Sequence, residues 1–204
     1  HNGVMVFDSS EPSIDRNLFI KEDWSAAAYG ECVEELPGNM PEPRGPEMIM
    51  RAFVDSDHAG DTATRRSRTG FMIFLNNSPI CWFSKRQTSV ETSSFGSEFV
   101  AMKLCCEYIR GLRYKLRMMG INVNEPTFVF GDNQSVLANV SRPHSILKKK
   151  SSSIAYHFVR EGVAKDEWRT TYLNTHLNPS DMLTKSLPGG EKRTLFTSYF
   201  LHYL

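Results

Sequence analysis

The chain has 204 residues, of which 40% are hydrophobic and 23% are charged, as in a soluble globular protein; no apolar run approaches the roughly 18 residues of a membrane span. Its formal net charge of +1 hides an asymmetry, because residues 1–50 hold 10 acidic and 3 basic side chains whereas residues 51–204 hold 13 and 21. The basic body predicts a polyanionic partner, and the acidic arm is expected either to lie against that body or to remain solvated.

The cysteines and the start of the chain bear on its cellular setting. CxxC spacing is absent among Cys32, Cys81, Cys105 and Cys106, which argues against structural zinc and a disulfide framework and favours reduced thiols in an intracellular protein. No signal-peptide pattern follows His1, and we interpret the chain as a piece of a longer polypeptide such as a polyprotein.

Residues 1–49 are predicted to be an acidic, proline-rich linker or connection arm with little regular structure. Their acids lack a helical period, and the arm is interrupted by Pro12, Pro37, Pro41, Pro43 and Pro46. One short helix, starting near Ile20 and running through Ala28, is expected to dock on the body. The body itself is predicted to be a single domain over residues 50–204.

The first strand of that body ends in two acids. Alternation along a strand puts Asp55 and Asp57 on one face, where two buried carboxylates repel each other and lose their hydration. A divalent cation with oxygen ligands, Mg²⁺ or Mn²⁺, relieves both effects. The alternative is a solvated strand end that leads into a turn.

A basic loop and a hairpin come next. The loop carries Arg65, Arg66 and Arg68, which either clamp phosphates or are simply solvated. Strands are predicted at 70–75 and 80–84, joined by a turn at 76–79 whose Asn-Asn pair tolerates positive φ.

A long helical pattern then starts at Ser93 or Ser94 and ends at Gly120. Glu98 lies in its opening turns, where an acid either favours the helix dipole or faces a metal held by the preceding strands. A buried strand at 127–131 ends at Asp132, which is either the N-cap of the next helix or a further member of the same site. After a helix at 154–163 and a strand at 168–173, Asp181 falls in the first turn of another helix, and a last helix is predicted at 191–204.

This order of elements predicts an α/β (mixed α+β) fold with a five-stranded mixed sheet flanked by helices. In that layout the strands before Asp55 and Asp132 are central neighbours, and Glu98 and Asp181 reach the same point from helix N-termini. Four converging carboxylates call for two divalent ions, which in phosphodiester hydrolysis activate water and stabilise the leaving oxygen.

Several motifs, in the same order, resemble one family. They are Phe53-Val54-Asp55-Ser56-Asp57, Arg65-Arg66-Ser67-Arg68-Thr69-Gly70, Ser84-Lys85-Arg86-Gln87, Ser97-Glu98-Phe99, Asp132-Asn133-Gln134-Ser135, Tyr156-His157-Phe158 and Asp181-Met182-Leu183-Thr184-Lys185. Together they resemble the ribonuclease H domain of copia-type (Pseudoviridae) retrotransposon Pol polyproteins.

The resemblance implies a ribonuclease H-like fold with an Asp-Glu-Asp-Asp metal site for two Mg²⁺ ions, for which Mn²⁺ can substitute. That site falls on Asp55, Glu98, Asp132 and Asp181. The resemblance also implies an RNA–DNA hybrid as substrate, a reverse transcriptase upstream on the same polyprotein, no membrane contact, and a cytoplasmic location in virus-like particles with a nuclear one as the alternative. Contacts to the hybrid are expected from Arg65, Arg66, Arg68, Lys85, Arg86, Asn133, Gln134, Lys148, Lys149 and Lys150, because hybrids are recognised by shape, phosphates and 2′-hydroxyls.

Two departures from the family pattern stand near the predicted contacts. The family's usual Lys-His-Ile-Asp is replaced by Lys150-Ser151-Ser152-Ser153, and its usual Trp after the second acid of the first motif is replaced by His58. Both changes affect expected substrate contacts rather than the four acids.

The sequence thus predicts an endonuclease that cuts the RNA strand of a hybrid. The alternatives are a catalytically silent hybrid-binding or interaction module on the same fold and a DDE-type integrase-like core, although the integrase core would carry its third acid on a late helix. His176, five residues before Asp181, is the candidate proton shuttle or product-release residue, with His58 as the rival and an ordinary exposed loop residue as the alternative.

Overall fold

A five-stranded mixed sheet forms the centre of the computed structural model, which describes residues 15–19, 21–25, 29, 32–147, 153–187 and 189–200. The order across the sheet is β3-β2-β1-β4-β5, with β1 antiparallel to β2, β2 antiparallel to β3, and β4 parallel to both β1 and β5. The strands are β1 (Met50–Asp57), β2 (Arg68–Leu75), β3 (Ser78–Arg86), β4 (Thr127–Gly131) and β5 (Trp168–Tyr172). The predicted sheet is confirmed, and β1 and β4 are its central neighbours.

The hairpin between β2 and β3 is tighter than predicted. Its loop contains only Asn76 and Asn77, because β3 begins at Ser78 rather than at residue 80. Asn76 has φ of 51°, the left-handed conformation that asparagine tolerates better than most residues. A register shift between Ile73 and Phe74 accommodates the tight turn.

Within the described residues, the α-helices are α1 (Ser94–Met118), α2 (Gln134–Ser141), α3 (Ser153–Ala164), α4 (Asp181–Thr184) and α5 (Glu191–Phe200). The hydroxyl of Ser93 caps α1 by accepting a hydrogen bond from the Gly96 N–H at 3.2 Å, and Gly120 closes the helix end with φ of 75°. At α2 the N-cap is Asn133, not Asp132, so the carboxylate of Asp132 is not used as a cap. None of the helices in the described part of the chain combines the length and apolar character that a membrane crossing demands.

The two faces of the sheet are covered differently. Helices α1, α2 and α3 pack on one face and form the larger apolar core. On the other face, Phe53, Phe128 and Phe130 form a smaller core together with Phe19 from the N-terminal arm. The Phe19 ring lies 4.6 Å from the ring of Phe128, centroid to centroid, and only 2% of Phe19 is exposed. An arm residue therefore completes the second core.

The described residues of the arm also contact the helical face. Trp24 is 5% exposed and lies under the guanidinium of Arg160, 4.8 Å from the ring centroid. Glu34 pairs with Arg113 and Arg117 of α1 at 2.7 Å and 2.6 Å. The acidic arm thus lies against the basic body at these points, one of the two arrangements expected from its charge. Residues 21–25 are not helical, so the helix predicted at 20–28 is absent over that stretch, and its other residues lie outside the described ones. Lys148, Lys149 and Lys150 also lie outside the described residues.

Candidate metal centre

The ends of β1 and β4 bring two acids together. The parallel register pairs Phe53 with Phe130, and Asp55 and Asp132 each follow that pair by two residues. Both carboxylates therefore emerge at the same end of the sheet. Asp55 is fully buried, whereas Asp132 is partly exposed just beyond the strand.

The third acid, Glu98, comes from the first turns of α1. Its Oε1 accepts a hydrogen bond from the Ser56 N–H at 3.3 Å, which holds the helix start against β1. One carboxylate oxygen each from Asp55, Glu98 and Asp132 lies within 4.8 Å of the other two. These three acids form the acidic triad, a geometry compatible with a divalent metal ion.

A polar network below the triad fixes the start of α1. The amide of Gln87, which is buried, donates to the Ser97 carbonyl at 2.9 Å and to the Thr69 hydroxyl at 3.0 Å. The Ser56 hydroxyl donates to the Ser97 hydroxyl at 3.0 Å. Because Ser97 immediately precedes Glu98, this network sets where the glutamate enters the site. The sequence motifs contained Gln87 and Ser97, but their pairing needs the tertiary structure.

Burial and mutual repulsion make the charged forms of the triad's carboxyl groups unfavourable. Burial first, and then the charges of Asp55 and Asp132, raise the pKa of Glu98 to about 9. Burial is also the main reason that the pKa of Asp55 is raised to about 6, although the Thr184 hydroxyl and the Lys185 ammonium act in the opposite direction. Within the described chain, the buried Oδ1 of Asp55 has no hydrogen-bond partner. A buried oxygen without a donor beside two further acids fits a bound cation.

The fourth predicted acid, Asp181, lies beside the triad. Its carboxylate does not belong to the group of three carboxylate oxygens that lie within 4.8 Å of one another. It is the first residue of α4 and is buried. Its Oδ1 accepts from the ammonium of Lys185 at 3.1 Å, its Oδ2 accepts from Lys192, and the same Lys185 ammonium lies 3.4 Å from Oδ2 of Asp55. Burial alone would raise the pKa of Asp181, but the hydrogen bonds and charges of Lys192 and Lys185 outweigh it and keep that pKa below its usual value.

Asn178 fixes the segment that carries Asp181. Its side-chain amide donates to the Val54 carbonyl at 2.9 Å, and its Oδ1 accepts from the Ser180 N–H at 3.2 Å. Asn178 is fully buried, so the loop is anchored to β1 one residue before Asp55. Sequence reasoning missed Asn178 and Lys192. Thr184 and Lys185 were recognised only as part of a family motif, and no role was predicted for them. Their spacing of three and four residues from Asp181 indicates side chains that lie near it on a helix.

Three further sequence-predicted residues lie around the site. Asp57 shares a strand face with Asp55 by alternation, but its carboxylate lies over Gly60, where an added Cβ would be 1.6 Å from Oδ2. His58 is exposed with Nδ1 3.3 Å from the Ser97 hydroxyl. His176 is exposed in the short 3-10 helix Thr175–Leu177. The role of either histidine stays a prediction.

Some of the residues predicted to contact the hybrid lie at the same end of the sheet as the acids. The strand register pairs Asp57 with Arg68 and Arg68 with Arg86. The guanidinium of Arg86 pairs with the carboxylate of Asp61 at 2.6 Å and lowers the pKa of Asp61. Exposed positions are Arg65, Arg68, Lys85, Arg86 and Gln134, whereas Arg66 and Asn133 are partly buried.

Comparisons with known proteins agree with this architecture. No protein-family model matches the chain. The chain is 29% identical over 144 residues to the retrovirus-related Pol polyprotein from transposon RE2 of Arabidopsis thaliana, a match covering 71% of the chain and 10% of the relative. It is 30% identical over 144 residues to the corresponding polyprotein from transposon TNT 1-94 of Nicotiana tabacum, a match covering 71% of the chain and 11% of that relative. The chain thus spans about a tenth of the length of these relatives.

Two solved structures share the fold. RNase H1 from the halophilic archaeon Halobacterium salinarum NRC-1 superposes with a TM-score of 0.52 at 14% identity, covering 67% of this chain and 94% of that one. LC11-RNase H1 in complex with an RNA/DNA hybrid superposes with a TM-score of 0.53 at 12% identity, covering 66% of this chain and 93% of that one. The predicted fold and the predicted resemblance are both confirmed.

Proposed function

We propose that this chain, a homologue of copia-type retrotransposon Pol polyproteins with a ribonuclease H fold, is an endonuclease that hydrolyses the RNA strand of RNA–DNA hybrids during reverse transcription. The observation that carries the proposal is the acidic triad of Asp55, Glu98 and Asp132 at the end of the two central strands. On this proposal, the chain follows a reverse transcriptase domain in the same polyprotein.

The triad, with Asp181 beside it, would hold two Mg²⁺ ions, for which Mn²⁺ would substitute, because hard divalent cations prefer carboxylate oxygens. The unpartnered, buried Oδ1 of Asp55 supports a cation at this point, as do the burial and the neighbouring acids that raise the pKa of Glu98. When bound, such ions activate a water molecule and stabilise the leaving oxygen.

The chain's own residues position this machinery. Thr184 donates a hydrogen bond to Oδ2 of Asp55, and Thr175 donates to Oδ2 of Asp132 at 2.8 Å, so each aspartate presents a fixed orientation. Ser56 does the same for Glu98 through its backbone N–H. Because these donors are in place before substrate binds, little reorganisation is needed at the moment of reaction.

Basic residues beside the triad support a nucleic-acid substrate. Arg68 and Arg86 lie across the sheet from the end of β1, and Lys85 is exposed next to them. Such side chains suit phosphate contacts, which position a duplex without reading its sequence. The structural relative that was solved with an RNA/DNA hybrid makes the hybrid the substrate to test first.

The test is cleavage of a labelled RNA–DNA hybrid with Mg²⁺, with EDTA as the control. We expect wild-type protein to cut the RNA strand, and Glu98→Gln and Asp132→Asn to lose about 100-fold or more of the rate while remaining folded, because each change keeps the size of the side chain and adds no buried charge. Glu107→Gln is the matched control, since Glu107 lies on the same helix and pairs with Lys103 at the surface. Hybrid binding without any cleavage by the wild type would contradict the proposal and favour a silent binding module.

A further inference from the structure

Lys192 connects the last helix to the acidic site. It is the second residue of α5, and its ammonium donates to Oδ2 of Asp181 and to the Thr175 carbonyl at 3.2 Å. It also lies 5.6 Å from the ring centroid of the fully buried Phe196. No sequence motif indicated this contact, because the partner, Asp181, lies 11 residues away along the chain.

The ammonium groups are distributed unevenly over the four acids. Both oxygens of Asp181 accept from lysines, Oδ1 from Lys185 and Oδ2 from Lys192, and Lys185 also reaches Asp55 at 3.4 Å. Within the described residues, no ion pair reaches Glu98 or Asp132. The charge of Asp181 is therefore balanced by protein cations, whereas most of the triad's charge is not.

We propose that Lys192 is a positioning residue that acts as the built-in counter-cation of Asp181 and competes with a divalent ion for that carboxylate. This inference rests on the proposed function, because it concerns the metal site of the same reaction. An ammonium and a divalent cation on one carboxylate repel each other strongly at a separation of a few ångströms. Lys192 thus weakens the binding of the ion that Asp181 would hold and leaves the binding of ions by the triad nearly unaffected.

The surroundings of Lys192 allow such an exchange. Its side chain is 29% exposed, and its other described contacts, the Thr175 carbonyl and the Phe196 ring, are uncharged. The ammonium of Lys192 keeps these two partners when the carboxylate of Asp181 binds a metal ion instead. Thr175 in turn donates its hydroxyl to Asp132 at 2.8 Å, so Lys192, Thr175 and Asp132 remain connected during the exchange.

Lys192 can be tested separately from Lys185. Lys185 pairs with two acids, so its removal disturbs Asp55 as well as Asp181. Lys192 pairs with Asp181 alone among the four acids, and Lys192→Met keeps the length of the side chain and its packing on Phe196. Lys192→Arg keeps the positive charge. Lys103→Met, at a surface pair with Glu107, is the matched control for the loss of one lysine.

The experiment is calorimetric titration of the metal-free chain with Mn²⁺ alone, at fixed ionic strength and without nucleic acid. We expect Lys192→Met to tighten the weaker Mn²⁺ association by about tenfold, the size of one removed like charge at short range in a water-like medium. Lys192→Arg and Lys103→Met should bind Mn²⁺ as the wild type does. In an Asp181→Asn background the effect of Lys192→Met should vanish, because the shared carboxylate is gone.

The outcomes separate this inference from the proposed function. Equal or weaker Mn²⁺ binding by Lys192→Met, or the same tightening in the Asp181→Asn background, overturns the role of Lys192 even if the wild type cleaves hybrids. Tightening in a protein that never cleaves a hybrid keeps the competition and overturns the function. No Mn²⁺ binding by the wild type overturns both. Circular dichroism melting of each variant identifies any change caused by misfolding; if Lys192→Met misfolds, Lys192→Gln, which also removes the charge, replaces it with the same expected tightening.

Discussion

The hydroxyl of Thr184 donates a hydrogen bond to the carboxylate of Asp55, which links the last turn of α4 to the central strand. Thr184 lies three residues after Asp181, so one helical turn carries both the fourth acid and a donor to the first one. The same hydroxyl is 3.2 Å from the Asp181 carbonyl. The short helix α4 therefore orients two acids at once.

Replacing Thr184 with valine tests this link, because valine keeps the shape and removes only the hydroxyl. We expect kcat for hybrid cleavage to fall by about tenfold with KM nearly unchanged, as a hydrogen bond to a charged group is worth roughly 1.5–3 kcal/mol. Steady-state kinetics check this, and Thr184→Ser should restore most of the rate. A Thr184→Val enzyme with wild-type kcat would show that the hydroxyl does not matter for the orientation of Asp55.

Gly70 allows α4 to approach the sheet. A Cβ at this position would lie 2.6 Å from Cγ2 of Thr184 and 3.1 Å from the Ser180 carbonyl oxygen. We expect Gly70→Ala to displace α4, to lower hybrid cleavage and to destabilise the fold by about 1–3 kcal/mol. Gly111→Ala is the control, since nothing lies within 4 Å of its added Cβ in α1, and it should be neutral or stabilising. Chemical denaturation and the cleavage assay measure the two effects; equal behaviour of the two variants would contradict the close approach.

The ion pairs of Glu34 predict a pH dependence of stability. Although burial opposes it, the hydrogen bonds and charges of Arg113 and Arg117 lower the pKa of Glu34 from 4.5 to about 2. Because the pKa is lower in the folded state, the stabilisation is fully present above about pH 5 and is lost as the pH falls towards 2.

We expect Glu34→Gln to lower the free energy of unfolding by about 3 kcal/mol at pH 7, because a pKa shift from 4.5 to about 2 corresponds to roughly that free energy. The difference from wild type should shrink steadily between pH 5 and pH 2. Urea unfolding at several pH values measures it, with exposed Glu35→Gln as the control. A difference that is constant across this range would mean that the carboxylate charge of Glu34 does not stabilise the fold.

Phe19 predicts that the arm contributes to the stability of the domain. Its ring packs on Phe128 and Phe130 with 2% of the residue exposed, whereas its neighbour Leu18 is 46% exposed. We expect Phe19→Ala to cost about 3 kcal/mol or more in the free energy of unfolding, and Leu18→Ala to cost little. Chemical denaturation compares the two. Equal small losses would show that the second core does not depend on the arm.

The sequence predicted the sheet and most helices because their signals are local. The apolar residues before Asp55 in β1, the apolar run of β4 and the 3.6-residue period of α1 each depend on neighbouring residues only. The loop of the hairpin was predicted two residues too long, because Ser78 and Pro79 look like turn residues and yet pair with Leu75 and Phe74 across the register shift.

The candidate site was only partly predictable. The motifs located the four acids along the chain, and the four-residue spacing of Lys185 from Asp181 is a local signal. The contact of Lys192 with Asp181 depends on the tertiary structure and has no such signal. Asn178 was equally hidden, because its partner is a backbone carbonyl 124 residues away. The charge of the arm indicated contact with the body as one of two arrangements, but the partners of Phe19, Trp24 and Glu34 were hidden because they are distant along the chain.

His176 remains the candidate proton donor to the leaving oxygen, with His58 as the rival. His176 is exposed and directly follows Thr175, whose hydroxyl binds Asp132, so it lies beside the site and is free of the core. His58 is also exposed, but its Nδ1 is within 3.3 Å of the Ser97 hydroxyl, which restricts its ring. General acid–base help is typically worth about 100-fold or more, so His176→Ala should lower kcat by that order while hybrid KM and Mn²⁺ affinity stay near wild type. Single-turnover kinetics of the two alanine variants decide between them: loss only in His58→Ala moves the role to His58, and full activity in both means that water carries the proton.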